Sequence, residues 1–136
     1  MTTEERLQKA QKLNDEVEEL KYAKEEAFDS ACDITAHMED EKVQTSKENS
    51  FERRLIAYAD YSKLLDERIF ELICYRAEIL RRINMIEDTN LRTLLIARYI
   101  NCKTWEQIAE DMGYSDKWVR TSLHKRALAE AEKCFS

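Results

Sequence analysis

The sequence predicts an all-α protein. Proline is absent and glycine occurs once, at Gly113, in 136 residues. Proline breaks helix interiors and glycine punctuates turns, so their scarcity leaves long helices uninterrupted. Charged residues reach 37% of the chain, against roughly 25% in an average globular domain, as exposed helical surfaces require. Two long stretches also repeat apolar residues at alternating three- and four-residue steps, the signature of helices that pack along a seam.

The first stretch opens on Thr2 and Glu5, the spacing of a capping box. Its seam runs through Ala10, Leu13, Val17, Leu20, Lys24, Ala27, Ala31, Ile34 and Met38. Three alanines and a lysine make this seam thin, so it needs a partner helix. The polar run Glu39–Ser50 then reads as a loop or frayed junction, with Asn49 or Ser50 as the next cap. The second stretch, 51–87, is stronger. Phe51, Leu55, Tyr58, Ser62, Leu65, Ile69, Leu72, Arg76, Ile79, Ile83 and Ile86 hold the rhythm, while Leu64, Ile73, Ala77 and Leu80 form a second apolar face. One thin partner cannot cover both faces. The expected architecture is a coiled-coil-like helical hairpin over 1–87 that pairs with a second copy, a homodimer, followed by a small domain over 88–136.

In that last segment the capping signals crowd together. Asp88 or Thr89 starts a helix over Asn90–Ile100, and Asn101 suits a left-handed helix end. Thr104 with Gln107 forms a second capping box for a two-turn helix, Trp105–Met112. Gly113 supplies the sharp turn and Ser115 caps a final helix from Asp116 to about Lys133. Ala109 is small enough for close helix approach, and Val119 supplies the apolar anchor that faces back. Ile108, Met112 and Trp118 or Leu123 complete the small core. A small residue, a permissive turn and an inward anchor at these spacings predict a helix-turn-helix.

Charge separates along the chain. Residues 1–50 carry 14 acidic and 7 basic side chains, a net of −7, whereas residues 88–136 carry 7 and 8, a net of +1. Phosphate attraction depends on the field within a Debye length of about 8 Å, so the total of −6 does not exclude nucleic acid. Cys32, Cys74, Cys102 and Cys134 form no CxxC pair and make no cluster with His37 or His124, so no metal is expected. Nor is a cofactor or an enzymatic reaction: there is no glycine-rich phosphate loop and no nucleophile–base pair. With no signal peptide and no apolar run of about 18 residues, a cytoplasmic protein without a membrane span is expected.

The run LRTLLIARYINCKTWEQIAEDMGYSDKWVRTSLHKRAL resembles the fourth region of bacterial sigma factors. It is similar also to phage-encoded late transcription regulators of the autolysin-regulatory and RinA-like kind. The pattern falls on Leu94, Leu95, Arg98, Tyr99, Trp105, Ile108, Ala109, Gly113, Tyr114, Ser115, Val119, Ala127 and Leu128. In one place it departs. Between Val119 and Ala127–Leu128 the chain is one residue longer, so Ser122 takes the expected apolar position and Leu123 follows it. The resemblance implies a sequence-specific regulator of transcription, of phage or prophage origin, acting on double-stranded DNA, and it allows contact with RNA polymerase as well.

In such a unit the start of the second helix enters the major groove. Arg120 is the candidate base reader, because a guanidinium matches guanine O6 and N7. Ser115 and Thr121 share its exposed face. Lys117, Lys125 and Arg126 are candidates for phosphate, with Lys103 and Thr104 at the start of the preceding helix. Trp105 and Trp118 are expected in the core, Asp116 as a structural acid at a helix start, and His124 on the surface or at a partner contact. Two other readings fit the same residues: a packaging oligomer like the small terminase subunits, and a coiled-coil interaction protein that binds no DNA.

Overall fold

A computed structural model of the chain describes the backbone of residues 1–40 and 45–135, and side chains of 1–33 and 50–135. Every element among them is helical. Helix α1 spans Thr3–Asp40 and α2 spans Thr45–Ile83. Helix α3, Thr89–Leu95, runs on into a wide π-helical segment, Ile96–Ile100. Helix α4 is Trp105–Met112, and α5, Asp116–Trp118, continues through a second π segment, Val119–Leu123, into α6, His124–Phe135. Two compact units result. One joins Met1–Glu16 to Leu72–Ser136, and the other is Val17–Glu71.

The polar run between the two long helices is largely helical where it is described. Helix α2 begins at Thr45, so Asn49 and Ser50 lie inside it rather than at its start. Lys and Glu are good helix formers despite their polarity, which is why a vanishing apolar stripe did not end the helix. Residues 41–44, and the side chains of Ile34, His37 and Met38, lie outside the described residues.

The seam positions are the covered ones. In the Val17–Glu71 unit Val17 and Leu65 are buried, and Leu20, Ala27, Tyr58, Ser62 and Ile69 are half-buried. Lys24, the charged break in the first seam, reaches Asp66 at 2.6 Å. In the other unit, Leu7 and Ala10 from α1 join Ile79, Ile83 and Ile86 in one buried cluster with Leu91, Leu94, Leu95, Tyr99, Ile108, Val119, Leu123, Ala127, Ala131 and Phe135. The start of the chain is thus part of the core of its last third.

Side chains complete this unit by satisfying helix-end carbonyls, which have no partner within their own helix. Arg6 and Arg82 donate to the carbonyls of Phe135 and Cys134, each at 3.2 Å. Gln11 donates to the Arg98 carbonyl at 3.2 Å, and Arg76 to that of Ile100. Tyr75 donates its hydroxyl to the Arg6 carbonyl at 3.2 Å, with the Lys9 ammonium 4.6 Å from the centre of its ring. Arg76, a charge on an apolar seam, is therefore a cap for the segment after α3.

The local caps form as their spacings predict. Thr2 and Glu5 exchange hydrogen bonds of 2.9 and 3.2 Å. Asp88, not Thr89, caps α3, accepting from the amides of Asn90 and Leu91. Thr104 and Gln107 make the second box at 3.0 and 3.2 Å. The left-handed residue after α3 is Cys102, with φ 58°, whereas Asn101 stays right-handed at φ −90°. The π segment takes up the Asn101 amide through the Ile96 carbonyl at 2.9 Å, so the reversal falls one residue later.

Gly113 ends α4 at φ 75°, with its own amide on Glu110 and that of Tyr114 on Ala109 at 3.0 Å, a Schellman pattern. A Cβ there would meet nothing within 4 Å. The cost of Gly113→Ala is therefore backbone strain alone, about 1–2 kcal/mol. Urea denaturation followed by far-ultraviolet circular dichroism should register that loss with an unchanged slope.

Candidate nucleic-acid interface

The segment from Asp116 onward is one continuous helical run with a wide turn inside it. Ser115 caps it, accepting from the Trp118 amide at 3.2 Å. Val119 and Leu123 are buried, whereas Ser122 between them is exposed. The His124 amide reaches back five residues to the Val119 carbonyl, the hydrogen bond of a π turn. A π turn holds one more residue than an α turn. Within it Leu123 takes an inward place and Ser122 does not.

With Val119 and Leu123 anchored, Ser115, Lys117, Arg120 and Thr121 face outward and are exposed. They differ in what they already hold. Thr121 donates its hydroxyl to the Lys117 carbonyl at 2.6 Å, and Arg120 pairs with Asp116 one turn earlier. Lys117 has no ion-pair partner among the described residues. Thr104 is exposed but its hydroxyl serves the capping box, and Lys103 pairs with Asp111 at 2.9 Å. Lys125 and Arg126 are exposed on other sides of the helix. Lys125 lines a groove with Thr2, Thr3, Glu4 and Glu132, and Arg126 lines one with Met85, Glu87, Asp88 and Lys133. The structure thus gathers Ser115, Lys117, Arg120 and Thr121 at the start of the helix, and gives Lys125 and Arg126 acidic neighbours of their own.

Two aromatic expectations change. Trp118 is 36% exposed, and its ring lies 4.7 Å from that of Tyr114, itself 43% exposed. Val119 and Leu123 fill the core, so the neighbouring Trp118 points away from it. His124, expected on the surface or at a partner contact, is half-buried within the chain. Its Nε2 shares a 2.6 Å hydrogen bond with the Tyr99 hydroxyl, and its ring meets Trp105 edge-on at 4.7 Å. The Arg98 guanidinium covers Trp105 at 4.5 Å and donates to the Lys103 carbonyl at 3.1 Å. Trp105 is half-buried in this group.

Burial lowers the pKa of His124 below its ordinary 6.5, with Glu4 raising it and Arg98 lowering it further. Burial, helped by Glu4 and opposed by Arg98, pushes the Tyr99 hydroxyl up to about 12. The fold therefore favours the neutral imidazole. That contribution is fully present above the unfolded value of about 6.5 and is lost as pH falls through the lower folded value. Between about pH 7.5 and about pH 5.5 the wild type should lose more thermal stability than His124→Gln. Equal losses would show that the imidazole contributes nothing.

Among the described residues no group of three or more histidine, cysteine or acidic side chains is arranged to hold a metal. No described helix is long and apolar enough to cross a membrane. No curated protein and no solved structure matches the chain. A family profile matches residues 34–132, from the later part of α1 to α6. The chain belongs to that family, described as a protein of unknown function (DUF1492).

Proposed function

We propose that the protein is a sequence-specific regulator of transcription that binds double-stranded DNA, reading the major groove with the helix that starts at Ser115. One observation carries the reading: Ser115, Lys117, Arg120 and Thr121 stand exposed on the outer face of a helix whose inner face is fixed by Val119 and Leu123. The Gly113 turn and the Thr104 box supply the local geometry that such a unit needs. A phage or prophage origin, and contact with RNA polymerase, follow from the resemblance to sigma region four and the RinA-like regulators.

The protein acts as a homodimer in this reading. Large apolar side chains stand in solvent on the Val17–Glu71 unit: Ile56 at 61%, Leu64 at 62% and Phe70 at 68% on α2, and Tyr22 and Phe28 on α1. Exposed apolar surface of this kind suits a partner helix. Light scattering gives the mass, and a ring well above a dimer would favour the packaging reading instead.

Titrating labelled duplex DNA by fluorescence anisotropy at several salt concentrations tests the function. Log affinity should fall by about 0.9 per phosphate neutralised for each unit of log salt. Lys117→Ala/Arg120→Ala should weaken binding by at least about tenfold, given about 1–3 kcal/mol for a bidentate base contact alone. A folded wild type that binds no duplex at low salt would end this reading and leave the protein-only alternative.

A further inference from the structure

Asp116 and Arg120 behave differently from the other charged residues of this face. They lie four apart, and the Arg120 Nη2 donates to one Asp116 carboxylate oxygen. The other oxygen, Oδ1, is buried and has no hydrogen-bond partner. The carboxylate is therefore not diverted to a cap, and Arg120 is its side-chain partner. An acid at this position opposes every phosphate, so a surface built only for affinity would not carry it. Paired, Asp116 and Arg120 have no net charge and add little to general attraction. What the pair retains is direction: a guanidinium has five N–H donors in a rigid fork, and one of them is occupied by the acid.

Resting on the DNA-binding reading, we propose that Asp116 is a positioning residue that holds the Arg120 fork toward a guanine edge in the major groove. Lys117, one residue away and without such a partner, supplies the charge for phosphate. Arg120 carries base discrimination, and Asp116 carries it through Arg120 at a cost to non-specific affinity.

The test compares the duplex selected by the wild type with a scrambled duplex of the same length. Affinities are measured for the wild type, Asp116→Ala, Asp116→Asn, Arg120→Ala, Arg120→Lys and Asp116→Ala/Arg120→Ala, each checked for helical content. Asp116→Ala should bind the scrambled duplex at least as tightly as the wild type and lose about tenfold or more of the discrimination. Asp116→Asn keeps a carbonyl that accepts from Arg120, and so should keep most of it. Arg120→Lys, which keeps charge without the fork, should lose it. In the Arg120→Ala background, removing Asp116 should cost no further discrimination. Equal tightening on both duplexes in Asp116→Ala would overturn the proposal, as would an undiminished loss in the Arg120→Ala background. A wild type that prefers no sequence would instead defeat the reading beneath it.

Discussion

Leu7→Ala should destabilise the helices of the last third of the chain, although the substitution lies in its first turns. Leu7 is fully buried in the cluster that also holds Leu94, Leu95, Ile108 and Val119. Removing three carbons from such a site costs the lost burial and the cavity left behind, about 2–5 kcal/mol together. For a unit of this size each kcal/mol lowers the midpoint by roughly 4–8 °C. The two tryptophans, Trp105 and Trp118, both lie in the last third and report on it directly. Their fluorescence transition should move with the circular dichroism transition. A tryptophan transition left in place would show that residues 88–136 fold without the start of α1. The same contacts limit a simpler experiment. Deleting residues 1–45 to ask whether the acidic helix inhibits DNA binding also removes Leu7, Ala10 and the Arg6 and Gln11 hydrogen bonds. Loss of binding in that truncation would report unfolding.

Deleting Ser122 should be tolerated, whereas deleting Ala129 should not. The π segment Val119–Leu123 holds one residue more than an α turn, and Ser122 is its exposed member. Removing it returns the segment to α geometry, with the anchors before and after it in their present phase. The expected change in stability is within about 1 kcal/mol, as for a surface substitution. Ala129 is also exposed, but it lies in regular α6. Its removal turns every later residue by about 100°. Ala131 and Phe135 would leave the core, and the carbonyls held by Arg6 and Arg82 would move with them. The expected loss is at least about 3 kcal/mol, the cost of removing a buried phenylalanine. Thermal melts of the two deletions side by side decide the matter. A similar collapse in both would show that the wide turn cannot lose a residue without disturbing the core.

What the sequence reveals of this protein follows the range of the forces involved. Caps act over three residues, so Thr104, Asp88, Ser115 and the Gly113 turn are readable without a fold. The seams are readable because their period is local, and all but the exposed Lys24 and Leu55 of the described members are at least partly covered. The place of Leu7 is not readable, because nothing local tells whether it packs on α2 alone or within a cluster reaching Phe135. The Tyr99–His124 hydrogen bond joins residues 25 apart and leaves no periodic trace. At the site, exposure of Ser115, Lys117, Arg120 and Thr121 follows once Val119 faces inward. The Asp116–Arg120 pair obeys the four-residue rule, but an acid at a helix start is accounted for equally by the helix dipole.

The division into two units also sets an order of events during synthesis. The contacts of Val17–Glu71 become available once residue 71 has left the ribosome. The other unit needs both ends of its sequence, since Leu7 and Phe135 share one cluster. At roughly 5–20 residues per second, the stretch from Leu7 to Phe135 takes about 6–26 s to make. For that interval Leu7 and Ala10 have no core to enter, and the nascent chain carries an unpaired apolar turn that chaperones can bind.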